Sequence, residues 1–154
     1  MDTIATDIKV TTIQPGIVET PFSEVRFHGD AERAKSVYAG IEAVKPYMPV
    51  GEIGNVINDM ADKAGYSVVR DLSGHGVGLE FHTDPIVEHF RTNRKTMILV
   101  PNMMFTIEPM INQGTYECEV LDDDWTVVTS DGKLSAQWEH TVVVTETGVE
   151  IITK

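Results

Sequence analysis

Residues 137–145 read Gln137-Trp138-Glu139-His140-Thr141-Val142-Val143-Val144-Thr145. Bulky and β-branched side chains dominate the run, which favours a strand over a helix. Successive side chains of a strand point to opposite faces, so Glu139 and His140 are expected on opposite sides of one sheet. Upstream, residues 125–129 (Trp-Thr-Val-Val-Thr) read the same way, and Ser130-Asp131-Gly132 between the two runs is turn chemistry. Downstream, Gly148 is expected to set off a last edge strand over residues 149–153. Residues 66–70 and 103–107 are further short strand-like runs, the second closed by Pro109.

Helical signals lie earlier in the chain. Residues 31–44 follow Asp30, a suitable N-cap, and carry Ala34, Val37, Tyr38 and Ile41 at helical spacing until Lys45-Pro46 ends the run. Residues 50–64 place Ile53, Val56, Ile57, Met60 and Ala64 on one stripe, and Gly65 fits a C-terminal cap. Residues 8–13 are short and β-branched, and Pro15-Gly16 stops them as a strand. Two helices and an antiparallel sheet define an α+β class. The 154 residues are the size of one domain, 1–154, long enough to bury roughly 70% of the unfolded chain's surface.

Charge and cysteine content narrow the function. A net charge of −12 argues against a nucleic-acid backbone or an anionic membrane as main partner. The single cysteine, Cys118, excludes an internal disulfide and a cysteine-rich zinc site. No apolar run approaches the roughly 18 residues of a membrane span. Asp2 and Asp7 in the first ten residues, without a basic stretch leading into an apolar one, give no sign of a signal peptide, so a cytoplasmic location is expected.

Three strings carry chemistry. In Gly74-His75-Gly76-Val77-Gly78 the glycines expose the imidazole and allow close backbone approach, and Phe81-His82 follows. Neutral imidazole is a common metal ligand, and His82 is near enough for both rings to flank one site. A Gly-rich loop holding a hydrogen-bonded histidine is the plainer account of that string alone. In Phe105-Thr106-Ile107-Glu108-Pro109 and in the run around Glu139, a carboxylate is embedded in otherwise apolar sequence. Burying such a group is costly unless it is paired or bound to a metal. One histidine nitrogen and two carboxylates form a mixed donor set suited to Zn, Mn, Co or Fe(II).

Taken together, GHGVG with FH, then FTIEPMI, then DDWTVVTSDGKLSAQWEHTVVVT resemble the C-terminal half of type I methionine aminopeptidases, members of the pita-bread metallopeptidases. The likeness runs from about Tyr38 or Ile41 to Ile152, with the motifs in family order. It implies half of a pita-bread fold over residues 41–154, an antiparallel curved sheet with two helices packed on one face. It also implies a metal-dependent hydrolase that removes N-terminal methionine from a peptide or a nascent protein. By the same resemblance His75, Glu108 and Glu139 are metal ligands, and His82 and Glu108 take part in catalysis. Phe81, His82 and Trp125 then bind substrate.

The family's other two ligands are aspartates on an upstream strand pair, and Lys9 and Thr20 fall where they are expected. Asp7 and Asp30 are nearby. The segment 1–40 resembles a short-chain dehydrogenase/reductase instead, with Pro15, Gly16, Val18 and Thr20 matching that family's strand-to-Thr pattern beside the nicotinamide. It has neither a Gly-rich dinucleotide fingerprint nor a Tyr-x-x-x-Lys pair, since Glu42 follows Tyr38 by four, so no NAD is expected. Two readings follow: an aminopeptidase impaired by the lost aspartates, or an inactive family-derived chimera that holds at most one divalent ion or serves as an interaction protein. Self-association into a homo-oligomer is left open by both.

Overall fold

The computed structural model describes residues 38–153. The strand expected at residues 8–13, the Asp30 cap and the positions Lys9 and Thr20 lie outside these residues. Residues 38–42 are helical, and α1 spans Gly51–Lys63. Helix α1 buries Ile53, Ile57 and Ala61, spaced four apart along one stripe. Val50 provides no side-chain cap, and the Gly51 N–H instead donates to Thr96 Oγ1 at 3.0 Å. Glu52 in the first turn and Lys63 in the last complement the helix dipole. Gly65 has φ 78° just past the end, a conformation that glycine adopts without strain. There Gly65 N–H donates to the Asp62 carbonyl and Tyr66 N–H to the Ala61 carbonyl, closing the helix as residues 50–65 predict.

Ten short strands follow: β1 Ser67–Val68, β2 Gly74–Gly76, β3 Thr83–Val87, β4 Met104–Ile107, β5 Met110–Asn112, β6 Cys118–Val120, β7 Val127–Thr129, β8 Ser135–Gln137, β9 His140–Val144 and β10 Val149–Ile151. They form three antiparallel sheets, in the orders β10-β9-β4-β2-β3, β1-β5-β8 and β6-β7. The expected half pita-bread with one curved sheet under two helices is therefore corrected. The helices and strands make an α+β fold whose strands divide among several sheets.

The division has identifiable causes. Residues 137–145 are not one strand: the chain leaves β8 at Gln137 and enters β9 at His140. On the facing segment, Glu108-Pro109 separates β4 from β5, and proline has no N–H to give a ladder. Residues 127–129 pair with β6 rather than across Ser130-Asp131-Gly132 with β8. Gly148 precedes the edge strand β10, as expected.

One face of the five-stranded sheet closes the core. Phe105, Ile107, Val142, Val144 and Val87 pack with Ile53 and Ile57 of α1 and with Ile41 and Val44. Alternation turns Thr106 and Glu108 of the same segment to the opposite face. His140 is fully buried while Glu139 is exposed, in keeping with opposite orientations.

Candidate metal centre

The register of β4 and β9 pairs Ile107 with His140, and that of β5 and β8 pairs Met110 with Gln137. The two ladders share one continuous register with two residues unpaired on each side. Glu108 thus stands opposite Glu139, and Pro109 opposite Trp138. Like charges directly opposed across antiparallel strands repel. The Glu108 N–H, deprived of a ladder partner, donates to Nε2 of His89 at 3.1 Å. His89 is 1% exposed, and burial holds its pKa down to about 3, so the ring is neutral and free to accept.

Strand β2 brings the third group. Gly76 pairs with Phe105, which sets His75 beside Thr106. His75 Nδ1 lies 3.0 Å from the Gly76 carbonyl oxygen. A carbonyl only accepts, so Nδ1 donates there, and in the neutral ring Nε2 is the nitrogen with the lone pair. Nε2 is 3.7 Å from Glu108 Oε1. Fixing one imidazole nitrogen through a backbone carbonyl is the usual way to aim the other at a metal.

Donor atoms of His75, Glu108 and Glu139 all lie within 4.8 Å of one another. Tetrahedral ligands at about 2.1 Å from an ion are about 3.4 Å apart. The His75–Glu108 pair is already close to that spacing, and the Glu139 residue is exposed. The donor set and its spacing fit a divalent cation. Among the described residues no lysine or arginine pairs with either carboxylate. Burial raises the Glu108 carboxyl above its ordinary pKa. The Thr106 hydrogen bond opposes the rise, Glu139 adds to it, and His75 and Gln137 oppose it.

The aromatic positions divide. The His82 ring stands edge-on to His75 with centroids 4.2 Å apart, and Phe81 lies 5.4 Å from His75 and 4.5 Å from His82. Phe81 is mostly exposed, on the open side of the cluster. Trp125 is 86% exposed between β6 and β7, and no ring contact joins it to His75, Phe81 or His82 among the described residues. Three supporting groups were missed by motif reading. Thr106 Oγ1 donates to Glu108 Oε1 at 2.7 Å, Gln137 Nε2 donates to Glu108 Oε2 at 3.3 Å, and His89 holds the Glu108 backbone. Thr106 was within reach of sequence reasoning, since residues two apart on a strand share a face. Gln137 and His89 carry no local signal, because only the tertiary register brings them to Glu108.

A mixed imidazole–carboxylate cluster is a donor set suited to a divalent metal, and comparison with known proteins gives the chain a family. The family model described as "Metallopeptidase family M24" matches residues 6–146, and the chain belongs to that family. Methionine aminopeptidase A of Synechocystis sp. is 57% identical over 114 residues, covering 74% of this chain and 45% of the relative. The crystal structure of methionine aminopeptidase from Rickettsia prowazekii superposes with a TM-score of 0.76 at 41% identity, over 88% of this chain and 54% of that one. Its counterpart from Thermotoga maritima gives 0.72 at 36% identity, over 78% of this chain and 51% of that one.

The chain spans about half the length of the relatives it matches. The family match nevertheless starts at residue 6, inside the segment expected to resemble a short-chain dehydrogenase/reductase. That expectation is corrected, and with it the division into a foreign segment followed by only a C-terminal half. Pro15-Gly16 and Thr20 are too short a pattern to identify a dinucleotide-binding fold, and they fall within the metallopeptidase match.

Proposed function

We propose that the chain is a metallo-aminopeptidase of the methionine aminopeptidase type, impaired in catalysis. The observation that carries this reading is the meeting of His75, Glu108 and Glu139 at the gap between two in-register ladders. His75 Nε2 and the two carboxylates would hold one divalent ion, with Mn, Co, Zn and Fe(II) all suited to the donors. Such an ion would supply Lewis-acid polarisation of a peptide carbonyl and would lower the pKa of water so that hydroxide is available as a nucleophile at neutral pH.

The protein's own groups have separable tasks. Thr106 donates into Oε1 of Glu108 and Gln137 into Oε2, which together fix the orientation of the carboxylate. Burial raises the Glu108 carboxyl pKa, which favours its taking up and returning a proton. His82, beside His75 at the open side, would hydrogen-bond the amide of the bound peptide. Phe81 supplies an apolar wall for the side chain at the substrate N-terminus. Trp125 would join that wall only if the substrate reaches the β6–β7 hairpin. The substrate is a peptide or nascent-protein N-terminus, and a cytoplasmic setting belongs to the same reading. Among the described residues no helix is long and apolar enough to cross a membrane.

The cluster offers three ligands, whereas the resemblance calls for five. The chain is therefore expected to bind at most one ion and to turn over methionyl peptides slowly or not at all. A second reading, a metal-binding family member without peptidase activity, rests on the same three-ligand count. Isothermal titration with Mn2+ or Co2+, run beside a methionyl-peptide assay, separates the two. Slow turnover that depends on metal supports impaired catalysis, and binding without turnover supports the second reading. Two tight ions per chain with full turnover would overturn both.

A further inference from the structure

The Thr106 hydroxyl joins the two half-buried arms of the cluster. It accepts the backbone N–H of His75 at 2.9 Å and donates its single proton to Glu108 Oε1 at 2.7 Å. The alternative acceptor, the His75 carbonyl oxygen, is farther away at 3.4 Å. Thr106 is 1% exposed, so water cannot replace the hydroxyl in either role. The approach of β2 and β4 that permits this contact depends on a missing side chain. A Cβ on Gly74 would lie 2.4 Å from the Thr106 carbonyl oxygen and 3.0 Å from its Oγ1.

One group thereby sets two variables, the position of the His75 backbone and the rotamer of the Glu108 carboxylate. Both converge on the 3.7 Å approach of His75 Nε2 to Glu108 Oε1. A free glutamate side chain samples several rotamers, and each wrong one removes a donor from the ion.

We propose that Thr106 is a positioning residue that presets His75 and Glu108 for a divalent cation without itself touching the ion. The proposal rests on the reading of the cluster as a metal centre and extends it to a residue outside the donor set. Valine at this position keeps the shape and loses both hydrogen bonds. Serine keeps both hydrogen bonds and loses only a methyl group.

The test is Mn2+ titration by calorimetry, with thermal melts, on the full chain and on Thr106→Val, Thr106→Ser and Glu108→Gln. Wild type is expected to bind, and Glu108→Gln to lose binding. Thr106→Val should fold cooperatively and bind roughly 10- to 100-fold more weakly, the usual effect of deleting an outer-sphere partner. Thr106→Ser should return to within about threefold of wild type, a rescue that a purely steric role would not produce. Should Thr106→Val fail to fold, Thr106→Ala carries the same expectation. Wild-type affinity in Thr106→Val or Thr106→Ala, with binding still lost in Glu108→Gln, overturns the positioning role and leaves the metal centre standing. Absence of Mn2+ binding by wild type, or unchanged binding by Glu108→Gln, overturns the metal centre and the positioning role with it.

Discussion

Glu108 faces Glu139 across a two-residue gap in an otherwise continuous antiparallel register, with Ile107–His140 paired on one side and Met110–Gln137 on the other. Neither carboxylate has a cationic lysine or arginine partner among the described residues. The metal-free chain must therefore tolerate two opposed acids, one of them half-buried. Repulsion, burial and the missing ladder bonds all make this place depend on a cation or a proton.

Replacing Glu108 by glutamine should therefore stabilise the metal-free protein. The folded-state pKa of Glu108 is raised, so the native carboxyl costs stability as pH rises through its titration range and above. Glutamine keeps an oxygen for Thr106 and removes the charge. The metal-free melting temperature of Glu108→Gln at neutral pH is expected to rise by roughly 2–4 °C, and the further rise on adding Mn2+ should vanish. Calorimetric scans with and without Mn2+ check both; a metal-free variant that melts below wild type contradicts the account.

His89 should give the opposite pH dependence. Its pKa falls from 6.5 to about 3 on folding because the ring is buried. Below pH 6.5 the unfolded chain takes up a proton that the folded chain refuses. Stability is thus full above 6.5 and declines as pH falls toward about 3. His89→Gln, which retains an acceptor for the Glu108 N–H, should flatten this slope. Urea denaturation of wild type and variant across that window is the measurement, and equal slopes would remove His89 as the source.

Adding one methyl group at Gly74 should be costly. The new Cβ would meet backbone, the Thr106 carbonyl oxygen at 2.4 Å, which cannot rotate away. Gly74→Ala is expected to lose about 1–3 kcal/mol by forcing β2 and β4 apart. Mn2+ affinity should fall as well, since the His75–Thr106 contact spans the same two strands. Denaturant melts and calorimetry on one preparation test both effects.

Trp138 should matter through its nitrogen as well as its bulk. Its Nε1–H donates to Nε2 of the fully buried His140 at 2.7 Å. Trp138→Phe leaves that acceptor unpaired, which costs about 1–3 kcal/mol. Far-UV dichroism during urea unfolding reports the loss. A variant as stable as wild type would show that the histidine finds another donor.

The three candidate donors stood out in the residues themselves. His75 among glycines, and Glu108 and Glu139 inside apolar strings, were conspicuous because each breaks a local pattern. Helix α1 and its Gly65 cap were legible for the same kind of reason, a regular stripe with a marked end. What failed was continuity: residues 137–145 alternate well enough to pass for one strand, and only the facing Glu108-Pro109 shows why the ladder stops there. His89 and Gln137 were invisible because their roles exist only through pairing distant in sequence. The dehydrogenase-like reading of residues 1–40 rested on a few turn residues, too little to outweigh a family match that starts at residue 6.

The shared register also says where this protein can change length. An insertion or deletion of one residue between Met104 and Asn112, or between Ser135 and Val144, would slip one segment against the other and turn its side chains to the wrong face. It would carry Glu108 or Glu139 away from His75 even though every residue of the site was still encoded. The same register runs on through the pairs Gln113 with Leu134 and Glu117 with Ser130 into the β6–β7 hairpin, whose turn at residues 122–125 lies beyond the pairing, so extra residues at that turn leave the opposition of the two acids intact. Loop grafts and natural length variation are thus expected to collect at that turn, while the spans on either side of the gap keep a fixed residue count.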